Sequence, residues 1–177
     1  MNKTPKGTAS GLSLVELLAT VAIIAVLGVA SIPPMHQWVA RQRIEAAAND
    51  LMHDLHAARR QAIAHSLPAV VCPTSNGTQC TTNASFGSGW LSFINADADS
   101  PPQVDIGETI LSVNTGDPRV AILSNRRQFQ FNGRARRATN GSITLCDRSA
   151  STPPQTLTVS YTGRVRRNRI DSAGVCP

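Results

Sequence analysis

Four arginines fill the six positions from 164 to 169: Arg164, Arg166, Arg167 and Arg169, in "GRVRRNR". An earlier stretch, "NGRARR", carries Arg134, Arg136 and Arg137, and each cluster follows a glycine, Gly163 or Gly133. A guanidinium is a planar fork that can give two parallel hydrogen bonds to one phosphate. Arginines this dense suit the backbone of a polyanion better than a small neutral ligand. No nucleophile–base arrangement, phosphate loop or carboxylate pair stands out, so the residues point to binding rather than catalysis and imply no cofactor.

The charge distribution supports the same chemistry. Residues 66–118 hold five acids and no Lys or Arg, whereas residues 119–177 hold eleven arginines and two aspartates. The net charge of +6 conceals this division. Segregation of this kind points to a polyanionic partner. The bland alternatives are a solvated cationic face, or pairing with the acids of residues 97–117 on a neighbouring subunit. Lys3 and Lys6 are the only lysines, and codon bias toward arginine accounts for that choice without accounting for the clustering.

Other candidates are weaker. Asn95, Asp97 and Asp99 alternate like the opening of a calcium loop, but Ser100 stands where glycine is required and Ile106 where the closing glutamate belongs. An acidic turn is the better reading. His53 and His56 lie one helical turn apart and read as solvated helix surface. Cys72, Cys80, Cys146 and Cys176 lack the paired spacing of a zinc site. As disulfides they allow three connectivities. The pairing expected here is Cys72–Cys80, closing a local loop, with Cys146–Cys176 tying down the C-terminus beside the arginines.

These side chains must be positioned by something. "LSLVELLATVAIIAVLGVASI", Leu12–Ile32, contains one charge, Glu16, and at about 1.5 Å per residue is long enough to cross a bilayer core. Lys3 and Lys6 before it predict a cytoplasmic N-terminus and an exported remainder. Glu16 inside an apolar run needs a partner. Pro33 and Pro34 predict a kink or break. Beyond them Ile44, Ala48, Leu51, Leu55, Ala58 and Ala62 recur at helical spacing, one face of an amphipathic helix over about 35–65.

After Ser66 the period changes. "AVVC", "GWLSFI", "TILSV", "VAIL", "FQF", "SITLC" and "LTVSY" are short apolar runs between turn residues, the pattern of an antiparallel sheet or sandwich. Asn132–Gly133 predicts a hairpin turn. Leu157, Val159, Tyr161 and Val165 alternate and should face the core, leaving Arg164 and Arg166 to solvent. The alternation fails at Arg167, which places Arg167 and Arg169 on the following loop.

"GLSLVELLATVAIIAVLGVASIPP" resembles the type IV prepilin signature. The resemblance implies cleavage by a prepilin peptidase between Gly11 and Leu12, N-methylation of Leu12, and neutralisation of Glu16 by the Leu12 ammonium of the next subunit. "AARRQAIAHSLPAVVC", "GSGWLSFINADAD" and "SYTGRVRR" resemble the FimT and GspH group of minor pilins and pseudopilins. That group implies an α+β fold. Its parts would be a leader (1–11), a transmembrane and filament-core helix (12–34), an amphipathic helix (35–66) and a β-rich head (67–177). It further implies an inner-membrane protein with a periplasmic head, incorporated into an extracellular pilus with other pilins as partners. The late Gly-Arg-x-Arg motif, here Gly163, Arg164, Val165 and Arg166, is associated in the family with DNA binding in natural transformation. Arg167 and Arg169 extend that site, and Arg134, Arg136 and Arg137 are auxiliary to it. The alternatives are a minor pilin that primes assembly without a ligand, and a type II secretion pseudopilin.

Overall fold

The computed structural model describes residues 13–149 and 152–169. It divides into two compact units, Met1–His36 and Gln37–Pro177. Gly11, Leu12 and Cys176, and with Cys176 the expected Cys146–Cys176 bond, lie outside the described residues; Cys146 itself is disulfide-bonded.

Helix α1 spans Leu14–His65. Ser13 opens it: its carbonyl accepts from the N–H of Glu16 at 3.0 Å and of Leu17 at 3.1 Å. Glu16 therefore lies in the first turn, where the helix dipole favours a carboxylate. Of the kink or break expected at Pro33–Pro34, the break does not occur, because α1 continues through both residues. A proline removes its own donor and strains one turn, a local cost that the turns on either side can offset. Among the described residues, no helix is long and apolar enough to cross a membrane. In the first unit, Leu14, Val15, Leu17, Leu18, Val21, Ile23, Ile24, Val26 and Leu27 are all exposed.

In the second unit the predicted stripe is the buried one. Ile44, Ala48, Leu51, Leu55, Ala58 and Ala62 are each at most 1% exposed. The alanines let the backbone come close, and the larger side chains fill the space between helix and strands. Truncating Leu55 to alanine there is expected to cost about 2–5 kcal/mol. The helix stops at Ser66, which takes a left-handed φ of 55°, and Pro68 follows.

Among the described residues nine strands follow: β1 Pro68–Pro73, β2 Gly89–Ile94, β3 Ile110–Thr115, β4 Val120–Ser124, β5 Phe129–Asn132, β6 Arg137–Ala138, β7 Gly141–Asp147, β8 Gln155–Val159 and β9 Val165–Arg169. They form two sheets, ordered β3-β2-β1-β5-β6 and β4-β7-β8-β9, in which every pair is antiparallel. Both sheets contribute to one core with α1, through Val71, Trp90, Phe129 and Phe131 from the first and Ile143, Leu145, Leu157 and Val159 from the second. A smaller cluster on the other face of the first sheet joins Val70, Cys72, Leu91 and Phe93, with Cys80 and Val104 packed against it. This explains why all six residues of β2 are buried.

Two fastenings fix the helix and the loops. The Trp90 indole N–H donates to Asp54 Oδ2 at 2.7 Å, a buried bond from β2 to α1. Cys72 and Cys80 form a disulfide across eight residues of sequence, as expected. Every buried apolar residue lies at or beyond Ala40, so the unit Gln37–Pro177 carries the whole described core.

Candidate nucleic-acid interface

The second arginine cluster sits on the β8–β9 hairpin. The Gly163 N–H donates to the Ser160 carbonyl at 2.8 Å, and the Ser160 N–H to the Arg164 carbonyl at 2.9 Å. Ser160 Oγ accepts from the Arg164 N–H at 3.0 Å. Gly163 takes φ +77°, which a side chain resists, so the glycine is what allows the turn. Arg164 and Arg166 are exposed, as expected. Arg166 pairs with Thr158, opposite in face to the core residue Leu157.

Two expectations fail here. Tyr161 is 55% exposed rather than buried: β8 ends at Val159, so Tyr161 belongs to the turn and the alternation no longer governs it. Arg167 and Arg169 lie on β9, not on a loop, paired with Leu157 and Gln155. Arg167 shares a face with buried Leu157, yet the strand persists because its guanidinium reaches α1. Its Nη2 donates to Asn49 Oδ1, and its Nε is buried without a partner. A backbone ladder and a polar contact thus replace the apolar residue the pattern required. Arg167 clasps the hairpin to the helix.

The first cluster sits on the β5–β6 hairpin, which differs from a two-residue Asn-Gly turn. Asn132 is still in the ladder, opposite Arg137, and the turn spans 133–136. Asn132 Oδ1 accepts from the Ala135 N–H at 3.1 Å, and Arg136 takes the left-handed φ of 49°. Gly133 is needed for closeness instead. A Cβ there would lie 1.9 Å from the Ala62 carbonyl oxygen of α1.

The two hairpins meet. The Ala138 N–H donates to the Tyr161 carbonyl at 2.8 Å, and the Arg137 guanidinium lies 5.5 Å from the centre of the Tyr161 ring. Between the turns and α1 is a cleft of about 170 Å³ walled by Arg59, Arg136, Arg137, Asn132, Phe131 and Gly163. Arg134 is exposed on the same turn. Sequence reasoning missed Arg59. Its signal was available: it directly follows Ala58, a core position, and so flanks the seam where helix meets sheet.

Among the described residues no carboxylate pairs with Arg59, Arg134, Arg136, Arg137, Arg164 or Arg166; a charged contact lies elsewhere, His53 Nδ1 to Asp54 Oδ1 at 3.6 Å. Burial, with Arg60, Arg59 and His53 nearby, holds the His56 imidazole below its ordinary pKa. His53 is exposed beside Asp54, whereas His56 is half-buried rather than on the solvated surface expected of both.

The acids lie apart on the β2–β3 connection. Asp97, Asp99 and Asp105 bring oxygens within 4.8 Å of one another. Two of them serve the backbone: Asp97 accepts from the Asp99 N–H at 3.2 Å and Asp99 from the Gln103 N–H at 3.1 Å. Asn95 is buried and donates to the Asp99 carbonyl at 3.3 Å.

The sequence pattern of the family described as type II transport protein GspH matches residues 47–163. No curated protein matches the chain. Among solved structures, the type IV minor pilin FimU of Pseudomonas aeruginosa is similar at a TM-score of 0.56 and 15% identity, over 77% of this chain and 99% of FimU. The minor pseudopilin EpsH of the Vibrio cholerae type 2 secretion system is similar at a TM-score of 0.53 and 10% identity, over 72% of this chain and 97% of EpsH. At these identities the likeness is one of fold.

Proposed function

The chain belongs to the GspH family of minor pilins and pseudopilins, and from that premise we propose that its head binds DNA through backbone phosphates, without reading sequence, for uptake in natural transformation. The carrying observation is the convergence of two arginine hairpins and Arg59 on one cleft with no carboxylate among its walls. Arg59, Arg136 and Arg137 in the cleft and Arg164 and Arg166 on the adjoining hairpin grip phosphates, with Arg134 and Arg169 adding positive charge. Arg167 supports the grip through Asn49. Nothing here presents a recognition helix to a groove, so affinity is electrostatic.

In this reading a prepilin peptidase cuts between Gly11 and Leu12 and the new N-terminus is methylated. The apolar segment from Leu12 holds the subunit in the inner membrane with its head in the periplasm. In the filament, neighbouring pilins cover the exposed leucines, valines and isoleucines of α1 and give Glu16 its cationic partner. A pilus carrying the head catches DNA and retraction draws it to the envelope. The role is binding and assembly, not catalysis.

Engaging about five phosphates gives log K a slope near −4 against log salt, hence roughly a hundredfold loss or more between 50 and 200 mM. The test is duplex DNA binding by residues 37–177 across salt, beside Arg164→Gln/Arg166→Gln. Steep binding that the double variant flattens by about two units supports the reading. A wild-type head that ignores DNA at low salt overturns it. The second reading, an assembly or secretion pseudopilin without ligand, is favoured by the family description itself. It predicts that the same variant binds partner pilins less well.

A further inference from the structure

The arginine cleft does not end at the hairpins. It shares Asn132 and Arg137 with a shallow cavity of about 380 Å³ that continues past Tyr161 to Arg126. That cavity shares Arg126 and Thr139 with a third, of about 340 Å³, where Arg127 joins Arg126 beside the Cys72–Cys80 disulfide. The three cavities therefore run in series along the β5–β6 side of the first sheet. No carboxylate lines any of them. The far cavity offers neutral hydrogen-bonding side chains, among them Thr81, Gln103 and Gln128.

The far end is fastened in place. Arg126 Nε donates to the Asn140 carbonyl at 2.9 Å, and its own N–H and carbonyl are held by Ser124 Oγ at 3.1 and 2.7 Å. Asn125 Oδ1 accepts from the Ser142 N–H at 2.9 Å. The turn carrying Arg126 and Arg127 is thus tied to the link between β6 and β7. Arg127 is exposed and makes no ion pair among the described residues. Two arginine stations joined by an acid-free groove suit a long, flexible or helical polyanion better than an isolated anion.

We propose that Arg126 and Arg127 form a second phosphate-binding station, and that one nucleic-acid backbone lies along the groove from Arg59 and Arg137 to Arg127. This rests on the DNA-binding reading above and extends its footprint to residues outside both arginine hairpins. Tyr161, half exposed under the Arg137 guanidinium, lines the middle cavity of the three.

The test compares salt slopes for the full chain in neutral detergent with a long DNA duplex. Arg126→Gln/Arg127→Gln should reduce the slope by about two units, and Arg127→Gln alone, which removes no hydrogen bond of the fold, by about one. Arg119→Gln/Arg148→Gln removes equal charge from exposed positions outside the three cavities and is the control. An effect at Arg126 and Arg127 no larger than this control overturns the second station while leaving the hairpin grip intact. If wild type fails to bind, both readings fall. If only Arg164→Gln/Arg166→Gln loses binding, the second station alone falls.

Discussion

Gly133→Ala tests how the hairpins are held against the helix. A methyl carbon at this position would lie 1.9 Å from the Ala62 carbonyl oxygen and 2.6 Å from its carbon. Both atoms are backbone in the last turn of α1, on the face that packs into the core, so the obstacle cannot rotate aside as a side chain would. Real contacts of this kind almost never fall below 3.0 Å. The β5–β6 hairpin must therefore retreat by about an ångström, pulling Phe131, which is 1% exposed, out of its packing. Overpacking of this kind costs about 1–3 kcal/mol, and a backbone obstacle puts the value near the top. For a domain of this size that lowers Tm by roughly 6–12 °C. Thermal unfolding of residues 37–177 by circular dichroism measures it. Gly163→Ala is the comparison. Its methyl would meet Arg59 Nε at 3.1 Å, a flexible end that can move, and the Phe131 ring at 3.3 Å, which must give by only a few tenths of an ångström, so the cost is chiefly the positive φ, about 1–2 kcal/mol. If Gly133→Ala melts within 2 °C of wild type, or above Gly163→Ala, the close-approach argument is refuted.

Removing Asp54 or Trp90 should reveal their bond: a double-mutant cycle of Asp54→Ala and Trp90→Phe in urea is expected to give a coupling of about 1.5–3 kcal/mol, and a coupling near zero rejects it. Arg167→Gln should lower stability while changing the salt slope for DNA less than Arg166→Gln does, and Asn49→Ala should reproduce the stability loss; an equal loss of slope for Arg166→Gln and Arg167→Gln contradicts the clasp. Cys72→Ser/Cys80→Ser should lose about 2.5 kcal/mol from the closed-loop entropy alone, read from urea midpoints. His56 has a folded pKa below its unfolded value, so the unfolded chain binds more protons and stability should fall as pH drops through the unfolded value of 6.5. His56→Gln should flatten that part of the stability–pH curve, and an unchanged curve rules the histidine out.

Periodicity made most of the architecture legible. All six residues of the predicted helix stripe are core residues, and each apolar run supplies a strand, because both patterns follow directly from which side must be dry. Where a polar contact substituted for burial, the pattern misled. Arg167 interrupts the alternation yet stays in the ladder, since Asn49, more than a hundred positions away, receives its guanidinium. Tyr161 continues the alternation yet leaves the core, since the hairpin turns one residue earlier. The arginine clusters were visible as letters, but their meeting was not. It depends on the Ala138–Tyr161 bond between the two sheets, and on Arg59 arriving from the helix. No local spacing encodes either.

Strand β9 lies at the end of its sheet, with no neighbour beyond it among the described residues. An open border of unpaired N–H and C=O groups is a template on which another copy of the strand could add. Here β9 carries Arg166, Arg167 and Arg169, with Arg164 just before it, so a second copy would have to bring like charges side by side. The arginines proposed to hold a polyanion would thereby also oppose pairing of heads along this edge. Replacing them with apolar residues would remove the proposed phosphate contacts and a barrier to strand addition together, so glutamine is the sounder substitution and particle size should be checked in every variant.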